Sequence, residues 1–400
     1  GGMGIVGPAA TLVLANGGSL SGLFDFNNGS TFTVNAPWTL GSGSSIYISS
    51  TANWNGTGAT TLASGAYVAI REGTVSAPII VGSGALMEKT SSGDASFEGA
   101  LSINAGGKLG LTGAMGQTIG VSGTISNAGT LELTSVSNDD VYIELTGAIN
   151  NANALSVLPG SGGARVISGG TITNTGNINV SSGATLSLEG GATLIAASGG
   201  TYTGQGGVLA LTDSSIFRLA SNAVIGAGFT LQLGDYGNAA DITQSGGTRQ
   251  LIVNGTLDLR AGTVTPTINN TGTVTVLGSN GEVTVGAVTN TGAFEIVGSS
   301  LNAALVSVAG NFSNSAVLEL TSTGAAAAAT LDATGYTVTN ANTINFDIGA
   351  GGARAFKGAL TNSGVVNVHQ ATVFTIGNDA IDIVSGGTFM IENSMTDEVA

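Results

Sequence analysis

AVTNTGAFEIV (287–297), NFSNSAVLELT (311–321) and YTVTNANTINFDI (336–348) share one grammar. Each gives an apolar residue, a small polar residue, Asn, a small residue, then Gly or a near substitute. An alternating run follows, with one acid between two apolar residues. Alternate residues of a strand point to opposite faces, so such a run is a half-buried strand. Asn-small-Gly is a turn signal.

The unit recurs along the chain. Asn-small-Gly stands at Asn127, Asn174, Asn270, Asn290 and Asn362, with degenerate copies at Asn151, Asn314 and Asn340. Successive spacings are 24, 23, 96, 20, 24, 26 and 22 residues. The long gap holds other Gly-rich turns and fits about four coils of a ~20–25-residue period. Short strands at that period, without helical patterning, predict an all-β parallel β-solenoid. One coil cannot bury its own apolar face, but stacked coils build a continuous core. Asn and Gly are expected at the corners, where positive φ or a tight bend is needed, and equivalent Asn side chains are expected to stack as amide ladders.

The expected organisation is a single elongated domain over 1–400. Residues 1–120 read as less regular coils, 121–390 as regular coils and 391–400 as a polar tail. An inserted loop is expected between Tyr202 and Asp241, where Thr212-Asp213-Ser214 and Gly234-Asp235-Tyr236-Gly237 change the turn pattern. With ~17 coils about 4.8 Å apart, the length would be on the order of 80 Å.

Composition supports this reading. Of 400 residues 66 are Gly, 8% are charged and 42% are hydrophobic, which excludes a disordered chain. Only 5 Pro and no three-residue Gly period exclude collagen. The net charge of −15 repels nucleic acid and anionic membranes. With no Cys, disulfide and thiolate chemistry are excluded, which suits a protein folding outside the cell. No apolar run approaches the ~20 residues that span a bilayer. The first residue is Gly1, so a processed, trimmed or partial chain is expected, and Ile5–Ala15 lacks the basic lead of a signal peptide.

Reactive residues are sparse. His369 is the one histidine, so neither a Ser-His-Asp triad nor a His-based metal site is expected. The 9 Lys and Arg are dispersed, which argues against a polysaccharide lyase and for a protein that is not an enzyme. Gly160–Gly163 and Gly349–Gly352 lack a following Lys-Ser/Thr and a helix, so they read as turns rather than phosphate cradles. Trp38 and Trp54 read as core filling or an N-terminal cap, with a sugar-stacking platform as the alternative. Acids between apolar residues, at Glu132, Glu144, Asp258, Glu295, Glu319, Asp347 and Asp382, suggest an outward acidic face. Carboxylates one coil apart repel, and Ca²⁺ bound weakly between them would relieve this. No other cofactor is expected.

The units ITNTGNINVSSGATLSLEGG (172–191) and VTNTGAFEIVGSS (288–300) resemble repeats of large bacterial surface proteins. These are the β-solenoid passengers of autotransporters and the filamentous-haemagglutinin-like adhesins. The resemblance covers residues 120–390. It implies export, display at the cell surface and a right-handed parallel β-helix. The composition also looks like surface-layer proteins and extracellular filament subunits. The expected function is therefore an extracellular structural protein that self-assembles end to end into a filament or layer, its partner being a second copy. An adhesin stalk binding surface glycans or cell-surface ligands is the alternative, and a polysaccharide-acting enzyme comes third. Neither nucleic acid nor a membrane span is expected.

Overall fold

The computed structural model describes residues 3–49, 51–90, 93–113, 117–136, 138, 140–235, 237–279, 281–300, 302–376, 380–391 and 398–399. The chain is a parallel β-solenoid, 58% strand and without helices among these residues, of about 17 turns of roughly 22 residues. It divides into two compact units, Gly1–Val208 and Leu209–Ala400.

In the first unit each turn lays down three short strands. Thr124–Asn127, Thr130–Ser135 and Val141–Leu145 make one turn. Ala148–Asn151, Ala154–Val157 and Ala164–Ser168 make the next, each pairing in parallel with its counterpart. Inward residues therefore stack like on like. Val68, Met87, Leu109, Leu131, Leu155, Ile178 and Tyr202 are successive register partners. All seven are almost wholly buried. Each large apolar side chain so buried stabilises the fold by about 1.5–3 kcal/mol, which is why alternation alone sets the register.

The stretch expected to be less regular has its own corner device. Gly43, Gly65, Gly84 and Gly106 all have φ between 70° and 78°. The N–H of Gly43 donates to Gly65 O, that of Gly65 to Gly84 O, and that of Gly84 to Gly106 O, at 3.2, 2.9 and 2.9 Å. Glycine reaches this left-handed conformation without penalty, so the corner repeats from turn to turn. Trp54 is fully buried and Trp38 nearly so. Both rings pack on Phe32, with centroids 5.2 and 5.5 Å away. Trp38 Nε1 donates to Thr60 Oγ1 at 2.7 Å. The tryptophans fill the core and form no sugar-stacking platform.

The second unit repeats the three-strand turn. Leu257, Val274, Phe294, Leu318, Ile344 and Val366 form one register column, each fully buried. The inserted loop expected before Asp241 is absent among the described residues. Strands Ile216–Leu219, Ala223–Ile225, Thr230–Leu233 and Ala240–Gln244 continue the winding. The only excursion described there is a small reversal that brings Asp235 and Asn238 into an antiparallel bridge. Tyr236, and residues 392–397 and 400 of the polar tail, lie outside the described residues.

Candidate functional site

The corner asparagines form two ladders. In the first unit Asn127 Nδ2 donates to Asn151 Oδ1 at 2.7 Å, and Asn151 Nδ2 to Asn174 Oδ1 at 2.8 Å. In the second, Asn270, Asn290, Asn314, Asn340 and Asn362 continue the same pattern at 2.7–2.8 Å. Each amide also donates to a backbone carbonyl of the following turn, as Asn290 does to Val317 O at 2.9 Å. At most 1% of any of these residues is exposed. Buried polar groups are tolerated when partnered, and here the partners are one another.

The corner glycines are needed for a different reason than expected. Neither these asparagines nor Gly129, Gly176, Gly272, Gly292 and Gly364 have positive φ. Instead, a Cβ on Gly292 would lie 2.2 Å from Gly272 O, and one on Gly364 would lie 2.1 Å from Asn342 O. At these turns the backbone of the neighbouring turn leaves no room for a side chain, whereas the degenerate corners carry Asn153, Ala316 and Asn342 at the same place.

The acids do not make one face. Glu132 has Gly110 and Ser156 as register partners, and Glu144 has Gly120. Asp258 stands between Gln232 and Thr275, and Asp382 beside Thr361. Two are neutralised by cations: Lys108 Nζ lies 2.8 Å from Glu132, and Arg260 Nη2 lies 2.9 Å from Asp258. Glu295 and Glu319 are direct register partners. Asp347 follows the strand Thr343–Phe346, and the next residue, Ile348, turns outward rather than into the core. Ca²⁺ takes six to eight oxygen ligands. Among the described residues no group of three or more His, Asp or Glu is placed to hold a metal ion.

Glu319 carries the strain of this arrangement. Partial burial pushes its carboxyl up, and Asp347 and Glu295 push it further. A raised carboxyl pKa favours the folded state at low pH, and that benefit is lost as pH rises through the raised value. Glu319→Gln is therefore expected to raise the melting temperature at pH 7 and to leave it unchanged below the ordinary carboxylate range. Melting curves at pH 3 and pH 7 check this; no gain at pH 7 would mean the repulsion is fully screened. His369 Nδ1 lies 3.7 Å from Asp347 Oδ1.

Two buried arginines were not singled out in the sequence. Arg354 is fully buried and donates to the carbonyls of Leu320, Asp347, Ile348, Gly351, Gly352 and Ala353 at 2.9–3.3 Å. It also donates to Ser322 Oγ at 3.2 Å. Arg165 does the same for the loop before it, through the carbonyls of Pro159, Gly162 and Gly163. Both Gly-rich strings are thus turns pinned from inside by a guanidinium. Gly-Gly-Ala-Arg recurs at 162–165 and 351–354, and that repeat was the signal available. Burial pulls Lys89 down to about 8, opposed by Asp94 and Glu72.

Sequence reading also missed a shallow groove of about 720 Å³ on the outer side of the first unit. Asn53, Thr74, Ser96, Gly120 and Glu144 are successive register partners along it. Glu72, Asp94, Thr51 and Thr118 line it beside them. Asp94 Oδ1 accepts from the backbone N–H of Thr118 at 2.8 Å. Comparison with models of known protein families and with curated proteins finds no match to this chain.

Proposed function

We propose that the chain is an exported, cell-surface structural protein that adds to copies of itself end to end. The observation that supports this is the stacking itself, in which turns pair in parallel and like stacks on like, as Ile381–Ile383 and Thr388–Ile391 do on Arg354–Asn362 and Val365–Val368. A strand edge of such a turn is a template for a strand of another copy. Because the strands are parallel, the edge at one end of the winding is complementary to the edge at the other. The resulting contact is heterologous, and repeated it runs on into a fibre.

Negative-stain electron microscopy of the purified chain, with Ca²⁺ and with a chelator, tests the reading. Fibres or sheets are expected, and their loss in chelator would bring the acidic residues into the contact. Short isolated particles at all concentrations would overturn self-assembly. The groove on the first unit favours a second reading, a surface stalk that also carries a ligand site.

A further inference from the structure

We propose that Tyr47 and Tyr67 form an oxidative modification site, at which hydrogen peroxide joins the phenol rings of two adjacent turns as dityrosine, with Glu88 as the proton acceptor. This does not rest on end-to-end assembly. Strands Ser45–Ile48 and Tyr67–Ile70 are register partners, and Tyr47 stands opposite Ala69, two residues beyond Tyr67. Alternation turns Tyr47, Tyr67 and Ala69 to the outer face, while Ile46, Ile48, Val68 and Ile70 fill the core. The two rings are therefore diagonal neighbours on the surface. Their centroids lie 5.8 Å apart with an interplanar angle of 69°, edge towards face. Both rings are half-buried, so they stay within reach of a small oxidant. Ala69 faces outward and is nevertheless buried, because larger side chains close over it.

Glu88 is the independent sign. It stacks on Ala69 in the next turn, and the Tyr67 hydroxyl donates to its Oε1. A phenol gives up an electron more readily when a positioned base takes its proton in the same step. Burial, then the hydrogen bond to Glu88 and its charge, raise the Tyr67 phenol above its ordinary range. At neutral pH the species oxidised is thus the protonated phenol, and Glu88 is placed to receive its proton. Tyr47 differs: the Arg71 guanidinium lies 5.3 Å from its ring centroid. A cation over a ring draws on its electron density, so Tyr67 is the ring oxidised first.

The step balances. Peroxide, activated by a haem peroxidase, takes one hydrogen atom from each phenol O–H, breaks its O–O bond and leaves as two waters. The two phenoxyl radicals pair their electrons in a C–C bond between ring carbons ortho to the oxygens. The two displaced ring protons return to the oxygens and restore both phenols. The chain has no Cys, so no disulfide can tie one turn to the next. A dityrosine here would do so, restricting the unfolded chain as a disulfide does.

The test treats the dilute 400-residue chain with hydrogen peroxide and a haem peroxidase. The monomer fraction is expected to gain dityrosine fluorescence, lose two hydrogens in mass, yield joined Tyr47 and Tyr67 peptides on proteolysis, and melt at a higher temperature. Tyr47→Phe and Tyr67→Phe keep the rings and their packing but lack the hydroxyl, and each should abolish the gain. Tyr142→Phe, at a ring 43% exposed elsewhere, should leave it intact. Glu88→Gln still accepts the hydrogen bond but is a far weaker base, and should slow coupling about tenfold or more. The proposal is overturned if the monomer gains no dityrosine, if Tyr47→Phe or Tyr67→Phe does not abolish it, if Glu88→Gln couples as fast, or if only links between copies form, through Tyr142 and Tyr336.

Discussion

Replacing Arg354 with alanine is expected to lower the stability of the unit at 209–400 by about 3–5 kcal/mol. The guanidinium is fully buried and makes no ion pair among the described residues. Six carbonyls and a hydroxyl solvate it instead. Removing it leaves those acceptors buried or competing for fewer donors, at about 1–3 kcal/mol for each one left unmatched. It also releases Gly349, Gly351 and Gly352, which hold φ of 53°, 125° and 78°. Arg354→Lys should recover only part of the loss, because an ammonium has three donors at one point and the guanidinium has five in a fork. Both tryptophans lie in the first unit, so their fluorescence reports that unit, while circular dichroism reports strands throughout. The expected result is a dichroism transition that moves to lower denaturant and a fluorescence transition that moves less. Unchanged transitions by both probes would show that the loop is held by something other than Arg354.

Arg354 also marks where sequence reading stops. Alternation and turn spacing made the solenoid legible, because stacked apolar columns require that pattern. Arg354 occupies an inward position in Arg354–Asn362, the place an aliphatic residue would take. Periodicity alone ranks it as one more dispersed cation. Its meaning comes from the loop preceding it, whose carbonyls turn inward, and the recurrence of Gly-Gly-Ala-Arg carries that only once the two loops are compared.

The acids illustrate a second limit. Alternation states which face a residue takes, but not which residue stands beside it on the next turn. Turn lengths vary from 17 to 28 residues between register partners, with the difference absorbed mainly between strands and once in a bulge inside Ala329–Asn340. Glu295 therefore meets Glu319, whereas Glu132 meets glycine and serine. The groove was invisible for the same reason, since Asn53, Thr74, Ser96 and Gly120 share a column only through register. Asn151 reads as a degenerate corner, because Asn replaces the glycine two residues on, yet its amide is a full rung of the first ladder.

At the centre of the second ladder, Asn314→Asp should be worse than Asn314→Ala at neutral pH, and the order should reverse in acid. Asn314 Oδ1 accepts from Asn290 Nδ2 at 2.8 Å, and its Nδ2 donates to Asn340 Oδ1 and Thr343 O, each at 2.8 Å. Alanine removes these three bonds and the two to Ala316 within the corner but leaves Asn290 bonded to Val317 O, so a loss of about 2–4 kcal/mol is expected. Aspartate keeps the acceptor and loses the donor. Its ionised carboxylate would face two oxygens inside the fold, at a cost above that of alanine. Protonated, it regains one donor and can again bridge Asn290 to Asn340. The pKa of the introduced carboxyl is therefore raised on folding. Its contribution is fully present below the ordinary aspartate value of about 3.9 and is lost as pH rises through the raised one. Melting temperatures of both variants relative to wild type at pH 4 and pH 7 decide the matter. If Asn314→Asp tracks Asn314→Ala at both, the amide-to-amide bonds contribute little and the corner is held by apolar stacking beneath it. If the order reverses, the ladder itself is a directional hydrogen-bonded element, in which each rung must both donate and accept, and asparagine is the short side chain that does both while ionising in neither range.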